Sequence, residues 1–120
     1  MGAIASSPEQ WLSCPVARPH ARATLVCFPY AGAGVAAYAP WGRRLDPRME
    51  LHIVALPGRG RRLREAPERR LDVVLSALCA AFSSLPDRPT VFMGHSLGAM
   101  LAYESVRLLW ERGGLSLIHI

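Results

Sequence analysis

An unbroken apolar, β-branched run, ATLVCF (Ala23–Phe28), is flanked by turn formers, the pattern of a strand buried on both faces. A Gly/Ala-rich stretch, PYAGAGVAAY, follows and reads as a loop. YAPWGRRL then suggests a short helix with Pro40 in its first turn, where a missing N–H costs little. ELHIVAL, residues 50–56, predicts a second strand. PGRGRRLREAPERR is too rich in Gly, Pro and Arg for a core and reads as a surface loop. From Leu71 the apolar positions change period, recurring at Val74, Leu75, Leu78, Phe82 and Leu85, the stripe of an amphipathic helix. Pro86 and Pro89 end that helix and bracket a turn. TVFM, residues 90–93, predicts a third strand, and a helix spans residues 97–112 until Gly113-Gly114 stops it. Strands alternating with helices predict an α/β fold, a parallel sheet with helices on both faces. Chemistry in such sheets gathers at the carboxyl ends of the strands, where loops 29–34 and 94–98 lie.

Composition narrows the class. A chain of 120 residues, 51% apolar and 19% charged, fits one small globular domain. Residues 1–22 look like an irregular lead-in to a domain over 23–112. No run reaches the roughly 18 apolar residues of a membrane span, and no secretory leader is visible, so no membrane partner is expected. MGAIAS matches a myristoylation pattern, but we read it as a loose N-terminus. Cys14, Cys27 and Cys79 are odd in number and lack metal-ligand spacing, which points to a reducing, cytoplasmic setting. Net charge is +5 with no Lys at all, so the Arg content reflects coding bias more than a nucleic-acid surface. No nucleic-acid partner is expected.

The sharpest chemical signal is GHSLG, residues 94–98, a G-x-S-x-G between a short apolar strand and a long helix. A sharp turn there forces Ser96 into a strained conformation, and side chains at Gly94 and Gly98 would collide with neighbouring structure. The Ser96 hydroxyl then stands clear as a nucleophile, above a helix N-terminus whose Leu97 N–H can meet an oxyanion. A tetrahedral intermediate needs a second donor, for which FPYAGAG offers Ala31 first and Tyr30 second. His95, within the turn, reads as a packing or hydrogen-bonding residue. His52 reads as a satisfied strand histidine, and His20 and His119 lie in the lead-in and tail. None is a convincing base, and no cluster of metal ligands is seen, so no metal is expected. The arginines from Arg59 to Arg70 read as a solvated face, with docking of an anionic partner or phosphate as the alternative.

WLSCPVARPHARATLVCFPYAGAG, LPGRGRRLREAP and PTVFMGHSLGAMLAYESVRLL, taken in order, resemble the type II thioesterases of nonribosomal peptide and polyketide synthesis over residues 11–112. The combination of FPYAG, LPGR and GHSLG is far more specific than any one motif. The resemblance implies the N-terminal half of an α/β-hydrolase, acting on acyl groups misloaded on the phosphopantetheine arm of acyl or peptidyl carrier proteins, without a cofactor. Ser96 matches the family's nucleophile, and Leu97 and Ala31 its oxyanion-hole positions, with Tyr30 and Arg59 as substrate or carrier contacts. AGAG departs from the family's usual AGG. The family's Asp and His lie downstream of the nucleophile, beyond this chain, which is expected to be a nearly inactive truncated form. Met1 just ahead of the first strand favours a stand-alone enzyme over a synthase domain. The strand at 90–93 is expected to show an open edge, since the following strand is absent. LSLIHI resembles translated adapter read-through, with the start of a strand as the alternative. Other readings are an esterase of small esters and a non-catalytic binding module of the same fold.

Overall fold

A computed structural model describes residues 8–30 and 32–112, with the backbone of residues 117–119. The MGAIAS match, Ala31 and Gly113-Gly114 lie outside the described residues. Its strands are β1 (Leu12–Ser13), β2 (Ala23–Phe28), β3 (Met49–Val54), β4 (Thr90–Gly94) and β5 (Leu117–His119), in the sheet order β1-β3-β2-β4-β5. Its helices are α1 (Pro8–Trp11), α2 (Trp41–Arg44), α3 (Leu71–Phe82) and α4 (Leu97–Glu111).

β2 lies between β3 and β4 and is parallel to both, with Cys27 opposite Ile53 on one side and Met93 on the other. That central place explains why its residues are buried from Thr24 to Phe28 without alternation. Successive side chains still go to opposite faces. Val26 and Phe28 join Phe92 and the apolar faces of α3 and α4. Leu25 and Cys27 join Leu51, Ile53 and Tyr38 on the other face, beside a 3₁₀ turn over Val35–Ala37. Phe28, Phe82 and Phe92 form a triangle with ring centroids 5.1 to 6.0 Å apart, tying α3 to the two central strands. Leu71, at the first position of α3, is 40% exposed and stands outside the core its stripe predicted.

Three expectations are corrected. Within the supposedly irregular lead-in, α1 forms one turn, and β1 pairs antiparallel with β3, so the sheet is mixed. Residues 8–13 are too few to show a period; tertiary contacts hold them, with Trp11 fully buried and its carbonyl accepting the Ala55 N–H at 2.8 Å. Next, the edge of β4 is not open: β5 runs parallel to it, Thr90 opposite Leu117 and Phe92 opposite His119, so β4's backbone groups have ladder partners. Last, the Arg-rich loop is not wholly a surface. Arg62 is buried, stacks 4.5 Å above the Trp11 ring, donates to the Ala55 carbonyl at 3.0 Å and forks onto Glu65 at 2.7 and 2.8 Å. A guanidinium can be buried there because its donors are met and its flat face has an aromatic partner.

Candidate active site

Phe28 and Gly94 end β2 and β4 and lie opposite each other in the register, so the loops that follow start side by side at the carboxyl end of the sheet. The backbone there is close-packed. A side chain at Gly98 would collide with the Phe28 carbonyl, and one at Gly94 with the backbone of Gly98 and Ala99. Strand and helix can approach this closely only if both positions are Gly, and His95 and Ser96 must bridge the gap in one tight turn. Ser96 accordingly has φ 59° and ψ −121°, and it is the one non-glycine residue with positive φ among those described. Such a conformation costs about 1–3 kcal/mol and persists only where the surroundings impose it.

Ser96 is exposed, and among the described residues its hydroxyl makes no hydrogen bond. Its carbonyl accepts the Ala99 N–H at 2.9 Å, and the His95 carbonyl accepts the Gly98 N–H at 3.0 Å. The Leu97 N–H, the first of the 15-residue α4, has no acceptor among the described residues and lies at the positive end of the helix dipole. A hydroxyl and a backbone donor, each without a partner among the described residues, therefore adjoin, the two groups that addition to a carbonyl requires.

The neighbouring loop supplies the wall. Tyr30 packs edge-on against His95, 5.6 Å between ring centroids, and against Tyr38 at 6.2 Å. His95 is thus a packing neighbour, as its place in the turn suggested. Gly32 has φ 82°, and Gly34 meets Gly60 so closely that a Cβ on Gly60 would sit 2.8 Å from the Gly34 Cα. The AGAG loop is in this way seated on the LPGRG loop. No local signal in the sequence pairs these two glycines, because the contact spans two loops far apart in the chain. Arg59 and Arg69 line a cleft of about 250 Å³ with Leu56, Leu97, Met100 and Leu101, directly beside the start of α4.

His52, on β3, has its Nε2 2.8 Å from Glu50 Oε1, the satisfied strand histidine expected. His20 is exposed, and the His119 side chain lies outside the described residues. No described histidine hydrogen-bonds to the Ser96 hydroxyl. Glu50 is the hub of a buried network that sequence reasoning missed. It accepts the Arg18 N–H at 2.6 Å and pairs with Arg88 at 2.8 Å, while Arg88 also donates to Thr24 Oγ1 and the Ala21 carbonyl, each at 2.8 Å. Burial pushes the Glu50 carboxyl up, but the Arg18 N–H, His52 and Arg88 together outweigh it and hold the carboxyl below its ordinary range. Burial pushes the Cys27 thiol up to about 12, which fits a packed core thiol. Cys14, Cys27 and Cys79 are all free. Among the described residues, the one grouping of three potential metal donors is Cys14, Glu50 and His52.

The thioesterase-domain family matches residues 23–119. This chain belongs to the thioesterase family. It is 32% identical to the medium-chain S-acyl fatty acid synthase thioesterase of Homo sapiens, covering 93% of this chain and 43% of that protein. It is 28% identical to the gramicidin S biosynthesis protein GrsT of Aneurinibacillus migulanus, covering 96% and 45%. Among solved structures, the type II thioesterase BorB from the borrelidin biosynthetic cluster superimposes with a TM-score of 0.81 at 32% identity, covering 93% of this chain and 45% of that one. YbtT, a type II thioesterase from the yersiniabactin pathway, gives 0.75 at 32% identity, covering 89% and 45%. The fold is that of the N-terminal half of such α/β-hydrolase thioesterases, and the chain spans under half the length of these relatives. No helix among the described residues is long and apolar enough to cross a membrane.

Proposed function

We propose that this chain carries the nucleophile of a serine thioesterase that removes acyl groups from the phosphopantetheine arms of carrier proteins in nonribosomal peptide and polyketide synthesis. The observation that carries the reading is the backbone of Ser96, held at φ 59° between two glycines that tolerate no side chain. Ser96 Oγ attacks the thioester carbonyl, and its proton passes to a base. The oxyanion meets the Leu97 N–H and a second backbone donor, which we assign to Ala31. The pantetheine thiol leaves with a proton, and water then hydrolyses the acyl-serine. We take the base to be a His oriented by an Asp, in the part of the longer relatives that this chain does not span, as the family resemblance implies. The 120-residue chain by itself is expected to turn over slowly or not at all, since no described histidine hydrogen-bonds to Ser96.

Arg59, beside the apolar cleft next to Leu97, suits the phosphate of the phosphopantetheine arm or an anionic face of the carrier. The relatives' pathways support a carrier-borne substrate.

The test uses a chain extended to the relatives' length. A fluorophosphonate should label Ser96 and fail with Ser96→Ala, and acyl-carrier hydrolysis should exceed hydrolysis of simple esters. Faster turnover of simple esters would move the assignment to an esterase. Absence of labelling would favour a non-catalytic module.

A further inference from the structure

Glu50 and His52 are two apart on β3 and share a face, because side chains alternate along a strand. β1 runs antiparallel beside them with Leu12 opposite Val54 and Ser13 opposite Ile53. One more step in that register sets Cys14 opposite His52, on the same face. Cross-strand neighbours of this kind have Cβ atoms about 5 Å apart. A sulfur, a carboxylate oxygen and an imidazole nitrogen consequently all lie within 4.8 Å of one another. Glu50 is buried, Cys14 and His52 are half-buried, and a cavity of about 420 Å³ lined by Ser13, Cys14, His52 and Arg61 opens beside them.

We propose that Cys14, Glu50 and His52 form a site for a divalent transition metal, Zn²⁺ above all, that ties β1 to β3. Thiolate, imidazole and carboxylate are the ligand types Zn²⁺ takes, in a tetrahedron whose fourth corner can be water from the adjoining cavity. The carboxylate is already aimed. The Arg18 N–H holds one Glu50 oxygen at 2.6 Å and the Arg88 guanidinium holds the other at 2.8 Å, the outer-shell support that ligating carboxylates receive. The Arg88 charge also opposes a cation, so binding is expected to be weaker than at a three-ligand site without a nearby guanidinium. Glu9 and Arg61 line the same cavity, and Arg61 is occupied with the carbonyls of Glu9, Gln10 and Leu12.

Metal binding forms the sulfur–metal bond and releases the thiol proton to solvent, with a ring nitrogen of His52 as the second ligand. The site lies toward the amino end of β3, away from the loops around Ser96, and rests on no part of the thioesterase reading.

Co²⁺ titration of the 120-residue chain, with Zn²⁺ as competitor, tests this. A sulfur-to-cobalt charge-transfer band and intense tetrahedral visible bands are expected, with Zn²⁺ displacing them. The band should vanish in Cys14→Ser, weaken at least tenfold in affinity in His52→Ala, and survive in Cys79→Ser. In the unaltered chain, Zn²⁺ should also slow iodoacetamide modification of Cys14, read by mass spectrometry of its peptide. Absence of the band at excess Co²⁺, its persistence in Cys14→Ser, or an alkylation rate indifferent to Zn²⁺ would overturn the proposal.

Discussion

Gly98, in the first turn of α4, and Gly32, in the loop after β2, both lie at the carboxyl end of the sheet, yet their substitution should differ sharply. A Cβ at Gly98 would strike the Phe28 carbonyl, backbone against backbone, so Gly98→Ala is expected to cost about 3 kcal/mol or more. At Gly32 nothing lies within 4 Å of an added Cβ, and only the φ of 82° is strained, so Gly32→Ala should cost about 1 kcal/mol. Urea unfolding of the two variants measures the difference, and equal values would remove the steric account of the elbow. Glu50 makes a second prediction. Its folded carboxyl is depressed below the unfolded value, so between those two values the unfolded chain binds more protons, and stability rises with pH. The contribution is complete above the ordinary glutamate range of about 4.3 and is lost as pH falls below it. Glu50→Gln should flatten the acid limb of a stability–pH curve while lowering stability at neutral pH, where Arg88 is left unpaired.

At the scale of elements, α3 separates positions that its sequence stripe treats alike. Phe82 is fully buried against Phe28 and Phe92, and Phe82→Ala should cost about 3–5 kcal/mol, enough to unfold a small domain. Leu71 belongs to the same stripe but is 40% exposed, and Leu71→Ala should change stability by less than about 0.5 kcal/mol. Thermal melts of both variants check the pair. The loop before α3 depends on one side chain: Arg62→Ala removes the donor to the Ala55 carbonyl, the fork onto Glu65 and the cover over Trp11. A loss of about 2–3 kcal/mol is expected, only partly restored by Arg62→Lys, because an ammonium cannot reproduce the planar fork. Periodicity read α3 correctly and an unbroken apolar run read β2, since each is long enough for its pattern to show. It could not read α1 and β1, whose few residues are ordered by the sheet edge they cover.

The whole molecule carries an uneven surface. Tyr103 and Trp110 are exposed on α4 and line, with Phe92 and Val106, an apolar cavity of about 540 Å³ beside β4. Patches of this kind on a small globule promote association. Sedimentation should show concentration-dependent self-association of the 120-residue chain, and Tyr103→Ser with Trp110→Ser should reduce it. A monomer at high concentration would contradict that. The net charge of +5 opposes association at low salt, so added salt should strengthen it.

What the sequence alone determined was local. GHSLG placed a serine between two obligatory glycines, ATLVCF marked the doubly covered strand, and the spacing of Val74, Leu75, Leu78 and Phe82 marked the helix over it, because steric limits and periodic burial act over a few residues. Tertiary structure alone decided what joins distant segments. Strand register put Cys14 beside His52, loop packing set Gly34 against Gly60, and the need to satisfy buried charge paired Glu50 with Arg88 and laid Arg62 over Trp11. None of these leaves a local signature, since each partner's residue type is ordinary where it stands and gains its meaning only from the chain that folds against it.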